Sequence, residues 1–399
     1  ILEEPIVIAS AVRTPIGRLG GTLRGFGAVE LGSVVIKEAV KRAGIPPGAV
    51  KEAVLGNAVA AGTGQGAAKR ACLLAGLDAR VAARTVNSVC GSGLASVAEC
   101  TNSIALGISD VCVAGGMESA SNSPYIVFPW RRDGDRVACK LAGSRPVFTE
   151  PDLEHRIRTG EIQVRDATRY DGLCWPMEAR FMGEYAREFA ARMGYALDDI
   201  NAAAEESYCR AEKATQLGLF SREIVPVGGA CSDEIPNKEA REKLLARYPC
   251  DPASSYNSSR PSDGAAAVVL MSQGAARRFG VSPLAHIRAY SFLGCAPADF
   301  LVAPVEAARE IQEFVDRCSV VEANEAFAMQ LLLFREAFSG MDVNPHGGAV
   351  AFGHPLGASG TRILVTLLHE MERRQDDYGL ATVCFGGGGA YAVVVSRCT

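Results

Sequence analysis

Three side chains stand in settings suited to covalent and proton-transfer chemistry: Cys90, His354 and Cys384. Cys90 lies in Asn87-Ser88-Val89-Cys90-Gly91-Ser92-Gly93-Leu94-Ala95, where a β-branched run (Val81 to Val89) gives way to a small-residue helix pattern. Gly91 and Gly93 are expected to let the backbone turn sharply and to leave the thiol uncovered. A thiol at a helix start meets the positive end of the peptide dipoles, which favours its thiolate. That setting suits a nucleophile. The plain alternative is a small buried cysteine, as most free cysteines are.

Of five histidines, His354 has the most pointed context, Gly353-His354-Pro355-Leu356-Gly357-Ala358-Ser359-Gly360. Pro355 stiffens the backbone and the glycines leave room beside the ring, so the imidazole could serve a thiol as general base. It could equally do no more than bond backbone in a tight turn. Cys384 ends a strand pattern and is followed by Phe385 and four glycines. Their N–H groups could face an anion or an oxyanion, or the cysteine could simply precede a glycine turn. Asn324-Glu325-Ala326-Phe327-Ala328 reads as a helix start, with Asn324 as a possible N-cap.

Other chemistries lack their motifs. Gly62-Thr63-Gly64-Gln65-Gly66-Ala67 misses the last glycine of the dinucleotide fingerprint. Neither a phosphate-binding G-x-x-x-x-G-K-[ST] loop nor a G-x-S-x-G elbow occurs. Thirteen cysteines without any C-x-x-C pair fit neither a zinc site nor a disulfide scaffold, and suggest a reducing compartment. A formal charge of −4 gives no reason to expect a nucleic-acid partner, and no apolar run is long enough to span a bilayer. The first residues carry no signal-peptide pattern, so a cytoplasmic setting is expected, or an organelle matrix if a transit segment has been removed.

The elements that must position these residues alternate. Strands are expected at 5–12, 50–60 and 110–114, the last closed by Gly115-Gly116-Met117-Glu118-Ser119. Helices are expected at 29–43, 69–75 and from Cys90 to about Leu106. From 121 to 250 the composition is more charged, with two helical patterns between 183 and 220, and 131–170 is hard to read. The strand–helix rhythm then returns: strands at 265–271, 285–290, 320–323, 381–384 and 390–395, and helices from Asn324 and over 361–371. A faint internal repeat links the two stretches: Gly-rich turn, helix, and a strand running into paired glycines. The expectation is an α/β fold of two similar halves, residues 1–120 with 251–275 and residues 276–399, and a helical loop domain over 121–250.

Taken together and in order, the blocks around Cys90, Asn324, His354 and Cys384-Phe385-Gly386-Gly387-Gly388 resemble the signature blocks of the thiolases. Arg13-Thr14-Pro15, Gly115-Gly116-Met117-Glu118-Ser119 and Asp263-Gly264-Ala265-Ala266 match as well, so the resemblance covers nearly the whole chain. It implies a five-layered αβαβα thiolase fold and a homodimer or homotetramer. The implied reaction is reversible acyl transfer between CoA thioesters, acyl-CoA plus acetyl-CoA exchanging with 3-oxoacyl-CoA plus CoA. Coenzyme A is then a substrate, and neither metal nor cofactor is expected.

The resemblance also implies roles. Cys90 would take the acyl group as a thioester, with its proton passing to His354, which later activates the CoA thiol. Cys384 would move a proton at the α-carbon of acetyl-CoA. His354 and a water on Asn324 would hold the enolate oxygen. The N–H groups of Cys90 and Gly386 would hold the acyl-enzyme oxyanion. Leu173, Met182, Ser259 and Phe327 match CoA-contacting positions. Phe181 departs from the pattern: many acetoacetyl-CoA thiolases carry a histidine there that shapes the acyl pocket. Two other readings differ in kind. A decarboxylating condensing enzyme usually pairs its cysteine with two histidines, or a histidine and an asparagine, where this chain has Cys384. A non-catalytic acyl-CoA-binding relative would not need Cys90, His354 and Cys384 together.

Overall fold

The computed structural model describes residues 5–128, 155, 157–160 and 162–398, so most of the hard-to-read 131–170 stretch lies outside it. In chain order the strands are β1 (Ile6–Arg13), β2 (Gly17–Arg18), β3 (Glu52–Gly56), β4 (Ala82–Val86) and β5 (Val111–Ser119). Then come β6 (Tyr125–Phe128), β7 (Gln163–Asp166), β8 (Cys174–Trp175) and β9 (Arg180–Phe181), which pair as two small ribbons, β6 with β7 and β8 with β9. The last are β10 (Ser262–Ser272), β11 (Ala285–Gly294), β12 (Val320–Ala323), β13 (Asp342–Val343), β14 (Tyr378–Cys384) and β15 (Gly389–Arg397).

Apart from the ribbons, the strands form one path, β13-β12-β14-β15-β11-β1-β10-β5-β3-β4, with β2 beside β10. The path repeats one plan. In β1-β10-β5-β3-β4 and in β11-β15-β14-β12-β13, two antiparallel pairings are followed by two parallel ones. Among the described strands, the two sets pair with each other through Val7–His286 and Ile8–Ala285 of β1 and β11. The expected pair of similar halves is thus present as strand order and direction.

Helices cover both faces of each copy. In β1, Ile6 and Ile8 point into one apolar core and Val7 and Ala9 into another, so a continuous apolar run replaces the alternation of a half-wet strand. Helices Ser92–Ala105 and Leu356–Arg374 lie between the copies, their Leu94, Val97, Ile363 and Leu367 sharing a core with Ala114 of β5 and Ala381 of β14. Helix Ala28–Arg42 covers one outer face through Leu31, Val35 and Ile36. Helix Leu197–Gln216 and its neighbours share the opposite outer core with Val394 of β15. The result is the expected αβαβα layering.

Four local expectations change. Strand β5 does not close at Ala114 but runs to Ser119, because β10 pairs with it as far as Asp263–Ser119. Its glycines make room: a Cβ on Gly116 would run into the Gly357 carbonyl. The helix expected at 361 begins at Leu356, with Gly357 and Gly360 inside it. A Cβ on Gly360 would lie 2.5 Å from the Leu94 amide, so these glycines let the two central helices meet backbone to backbone. Asn324 is not a cap, since the next helix starts at Met329. Finally, the sharp turn at Cys90 falls on Val89, whose φ is 47°, while Gly91 is small because Tyr391 and Phe385 press on it.

Among the described residues no helix is long and apolar enough to cross a membrane, and no cluster of His, Cys, Asp and Glu is arranged to hold a metal.

Candidate active site

The turn Val89–Gly91 carries Cys90 to the start of helix Ser92–Ala105. A left-handed φ is unfavourable for a β-branched residue, so the turn must be held from outside. Val89 N–H donates to Asn87 Oδ1 at 2.9 Å, Ser88 N–H donates to Ser92 Oγ at 2.9 Å, and that hydroxyl donates to the Val89 carbonyl at 2.6 Å. Cys90 is not uncovered as expected; it is 9% exposed. Burial, and then the nearby Cys384, push its thiol well above the ordinary range. The backbone N–H of Gly386 works in the opposite direction. Desolvation therefore outweighs the helix-terminal effect anticipated from the sequence.

His354 is buried just before helix Leu356–Arg374. Its backbone N–H donates to the Arg260 carbonyl at 2.8 Å. Its Nδ1 lies 2.5 Å from Ser359 Oγ, and Ser359 donates its own proton to the Pro355 carbonyl at 3.0 Å. That pattern assigns the ring proton to Nδ1 and leaves Nε2 a bare acceptor. Nε2 is buried with no protein partner. Burial, and then the charge of Arg362, hold the imidazole down at about 3, so it is neutral.

Asn324 follows β12 and is tied to β14 by its N–H to the Thr382 carbonyl at 2.9 Å. Both polar atoms of its side chain are buried without a partner. Two residues after Thr382, Cys384 is 1% exposed and receives a hydrogen bond from Gln330 Nε2 at 3.6 Å. Burial pushes its thiol up to about 12. Buried polar atoms are nearly always satisfied, so the orphaned His354 Nε2 and Asn324 amide suit a substrate or a water.

A cleft of about 370 Å³ opens beside these loops. Leu173 and Met182 line it, together with Val89, Gly386 and Gly387. Trp175 stands over Gly387, whose φ of 92° needs glycine and whose added Cβ would meet the indole at 3.1 Å. Ser259 and Phe327 lie elsewhere, on the segments joining the Asn324 and His354 loops. Ser259 donates its N–H and its hydroxyl to the Ala326 carbonyl, each at 3.0 Å. Phe327 is buried edge-on against Phe300. Phe181 faces a cation, the Arg169 guanidinium lying 4.8 Å from its ring centre.

Sequence reasoning left out the residues that support the site. Ser359 stands in the quoted His354 block, five residues on, but nothing in its spacing says that it meets the ring. Gln330 and Arg362 read as ordinary helix residues. Trp175 lies in a segment with no motif.

The matches with known proteins cover the same length of chain. Residues 6–274 match the family model described as "Thiolase, N-terminal domain" and residues 281–397 the one described as "Thiolase, C-terminal domain". An acetyl-CoA acetyltransferase from Chromobacterium violaceum is 40% identical, with 98% of this chain and 99% of that protein covered. One from Cupriavidus necator is 39% identical with the same coverage, and a mitochondrial one from Macaca fascicularis is 35% identical, covering 99% of this chain and 91% of that protein. Among solved structures, the Acat5 thiolase from Ascaris suum in complex with coenzyme A superposes with a TM-score of 0.85 at 33% identity, covering 99% of this chain and all of that one.

Proposed function

The chain belongs to the thiolase family, an acyltransferase family working on CoA thioesters, and we propose that it runs that chemistry through Cys90, His354 and Cys384. The Cys90 proton moves to His354 Nε2, and the thiolate attacks the thioester carbonyl. The N–H groups of Cys90 and Gly386 face the developing oxyanion, each such donor contributing a few kcal/mol in the transition state. The departing CoA thiolate takes the proton of Cys384, which leaves the acyl group on Cys90 and Cys384 as a thiolate. In the synthetic direction Cys384 removes an α-proton from a second acetyl-CoA. His354 and a water on Asn324 steady the enolate, which attacks the acyl-enzyme and expels Cys90. Thiolysis runs the same steps backwards.

The observation that carries this reading is the meeting of the Gly386 turn with the Cys90 turn: Gly386 and Val89 line one cleft, and a Cβ on Gly386 would lie 3.9 Å from the Val89 side chain. It brings a glycine turn of the second half beside the Cys90 turn of the first, where an acyl oxygen would form. The perturbed acidities have a physical role in it. A buried thiol with a raised pKa gives up its proton only to a base held beside it, and neutral His354 is free to accept one.

The test is acylation. Incubation with acetyl-CoA followed by digestion should place an acetyl mass on the Cys90 peptide, and Cys90→Ala should abolish both label and turnover. Label on another cysteine would overturn the assignment. Label without carbon–carbon bond exchange would favour a binding or condensing relative.

The finer proposals rest on chemistry. CoA reaches the thiol along the cleft lined by Leu173 and Met182, with Ser259 and Phe327 supporting the loops behind it. Residues 1–120 with 251–275, 121–250 and 276–399 act as two halves and a loop domain. A homodimer or homotetramer is favoured by β4, an edge strand bonded only to β3 with Ala82, Arg84 and Thr85 exposed. A reducing compartment, cytoplasm or organelle matrix, suits an enzyme of acyl-CoA and fatty-acid metabolism whose described cysteines are free.

A further inference from the structure

Strand registers relate the two halves residue by residue. In the second half Ala323 pairs with Thr382, so Asn324 follows one strand end and Cys384 lies two residues beyond the partner. In the first half Gly56 pairs with Gly116, which puts Asn57 opposite Asn324 and Glu118 opposite Cys384 in the repeat. The catalytic pair of one half therefore has a counterpart in the other. Asn57 and Glu118 are bonded to each other, Asn57 Nδ2 donating to Glu118 Oε1 at 2.8 Å.

Glu118 is 2% exposed and collects four donors. Besides Asn57, it accepts from the N–H groups of Val59 at 3.2 Å, Ala58 at 2.9 Å and Gly357 at 2.8 Å. Ala58 lines the active-site cleft and its carbonyl accepts from Asn87 Nδ2 at 2.9 Å, three residues before Cys90. Gly357 is three residues after His354. One carboxylate thus spans the cleft wall, the Cys90 turn and the His354 turn. Close glycine contacts seal the same junction, since a Cβ on Gly56 would lie 2.5 Å from the Gly357 carbonyl.

We propose that Glu118 is a positioning residue that holds the His354 turn in register with the Cys90 turn across the two halves. This rests on the thiolase reading above. Four converging donors need an ionised carboxylate, because protonation replaces an acceptor site with a donor. Burial raises Glu118 to about 7 against those hydrogen bonds. The titratable groups around it are Cys90, which feels its charge, Asp263 beside it on β10, held by Ser119 and Ser121, and neutral His354. Stability and activity then respond oppositely to pH. A raised carboxyl pKa makes the folded state hold its proton better, so this group's stability contribution falls as pH rises from about 4.5 to 7. Activity rises over the upper part of that window as the clamp ionises.

The experiment compares the full-length wild type with Glu118→Gln in thiolysis across pH 5.5 to 8.5. The expected result is a kcat lower by about 10- to 100-fold with a smaller change in KM, as for a small misplacement of reacting groups. The wild-type acid limb near pH 7 should vanish in the variant. Equal kcat, KM and pH profile in the two proteins overturns the proposal. A wild type that neither acylates Cys90 nor turns over instead overturns the thiolase reading. Should the glutamine variant not fold, the wild type decides: kcat/KM must fall between about pH 8 and 6 while its melting temperature does not, and a flat kcat/KM profile overturns the clamp.

Discussion

The Nδ1 of His354 lies 2.5 Å from the Ser359 hydroxyl, which in turn donates to the Pro355 carbonyl. A residue one helical turn on thus decides which imidazole nitrogen carries the proton and which is left bare. Ser359→Ala would remove the acceptor for Nδ1–H and let the ring tautomerise or turn. Turnover should fall by about tenfold or more, part of the roughly 10²–10⁴ that a positioned base contributes. KM should change less. Steady-state thiolysis checks this, and an unchanged kcat would mean that the ring is oriented by other contacts.

Gly116 faces the Gly357 carbonyl across the junction of the halves, with no room for a Cβ. Gly116→Ala should therefore push the halves apart and cost about 1–3 kcal/mol, as overpacked cores do. Urea unfolding should show a lower midpoint at similar slope. A wild-type midpoint would show that the junction yields freely.

Acid stability should depend on Glu370. Burial alone would raise its pKa, but hydrogen bonds from His346 and Arg373 and their charges outweigh that and hold it at about 2 rather than 4.5. A depressed carboxyl stabilises the fold above its unfolded pKa and loses that contribution as pH falls through the folded one. The window is therefore about pH 4.5 to 2. Glu370→Gln should be less stable than the wild type near neutrality, and the gap should close toward the bottom of that window. A gap independent of pH would assign the loss to packing.

Trp175 roofs the cleft over Gly387. Trp175→Ala should widen the acyl end and shift preference toward longer 3-oxoacyl-CoA substrates. Each newly buried methylene is worth about 0.8 kcal/mol, roughly fourfold in kcat/KM. A substrate panel reads this directly, and an unchanged chain-length profile would place the acyl group elsewhere.

Much of this protein is legible in the chain itself. Periodicity locates the long strands and most of the long helices, because these are buried on faces that demand a repeating apolar pattern, whereas the short ribbons β6–β9, β2 and β13 carry no such pattern. The proposed site residues Cys90, His354, Asn324 and Cys384 are legible because side chains of suitable chemistry stand in an ordered set of motifs, three of them beside glycines. Tertiary structure decided the rest. Gly357 and Gly360 read as loop because glycine weakens an isolated helix, whereas here a second backbone occupies the space a side chain would fill. The helix terminus alone would make Cys90 more acidic, yet burial, and then Cys384 from the other half, set the opposite direction. Glu118 stood in a quoted motif without a role, because its four donors come from both halves and no local spacing encodes them. Local sequence determined the long elements and marked the proposed site residues. Contacts between distant loops determined how acidic those residues are, which tautomer faces the substrate, and what holds the two halves in register.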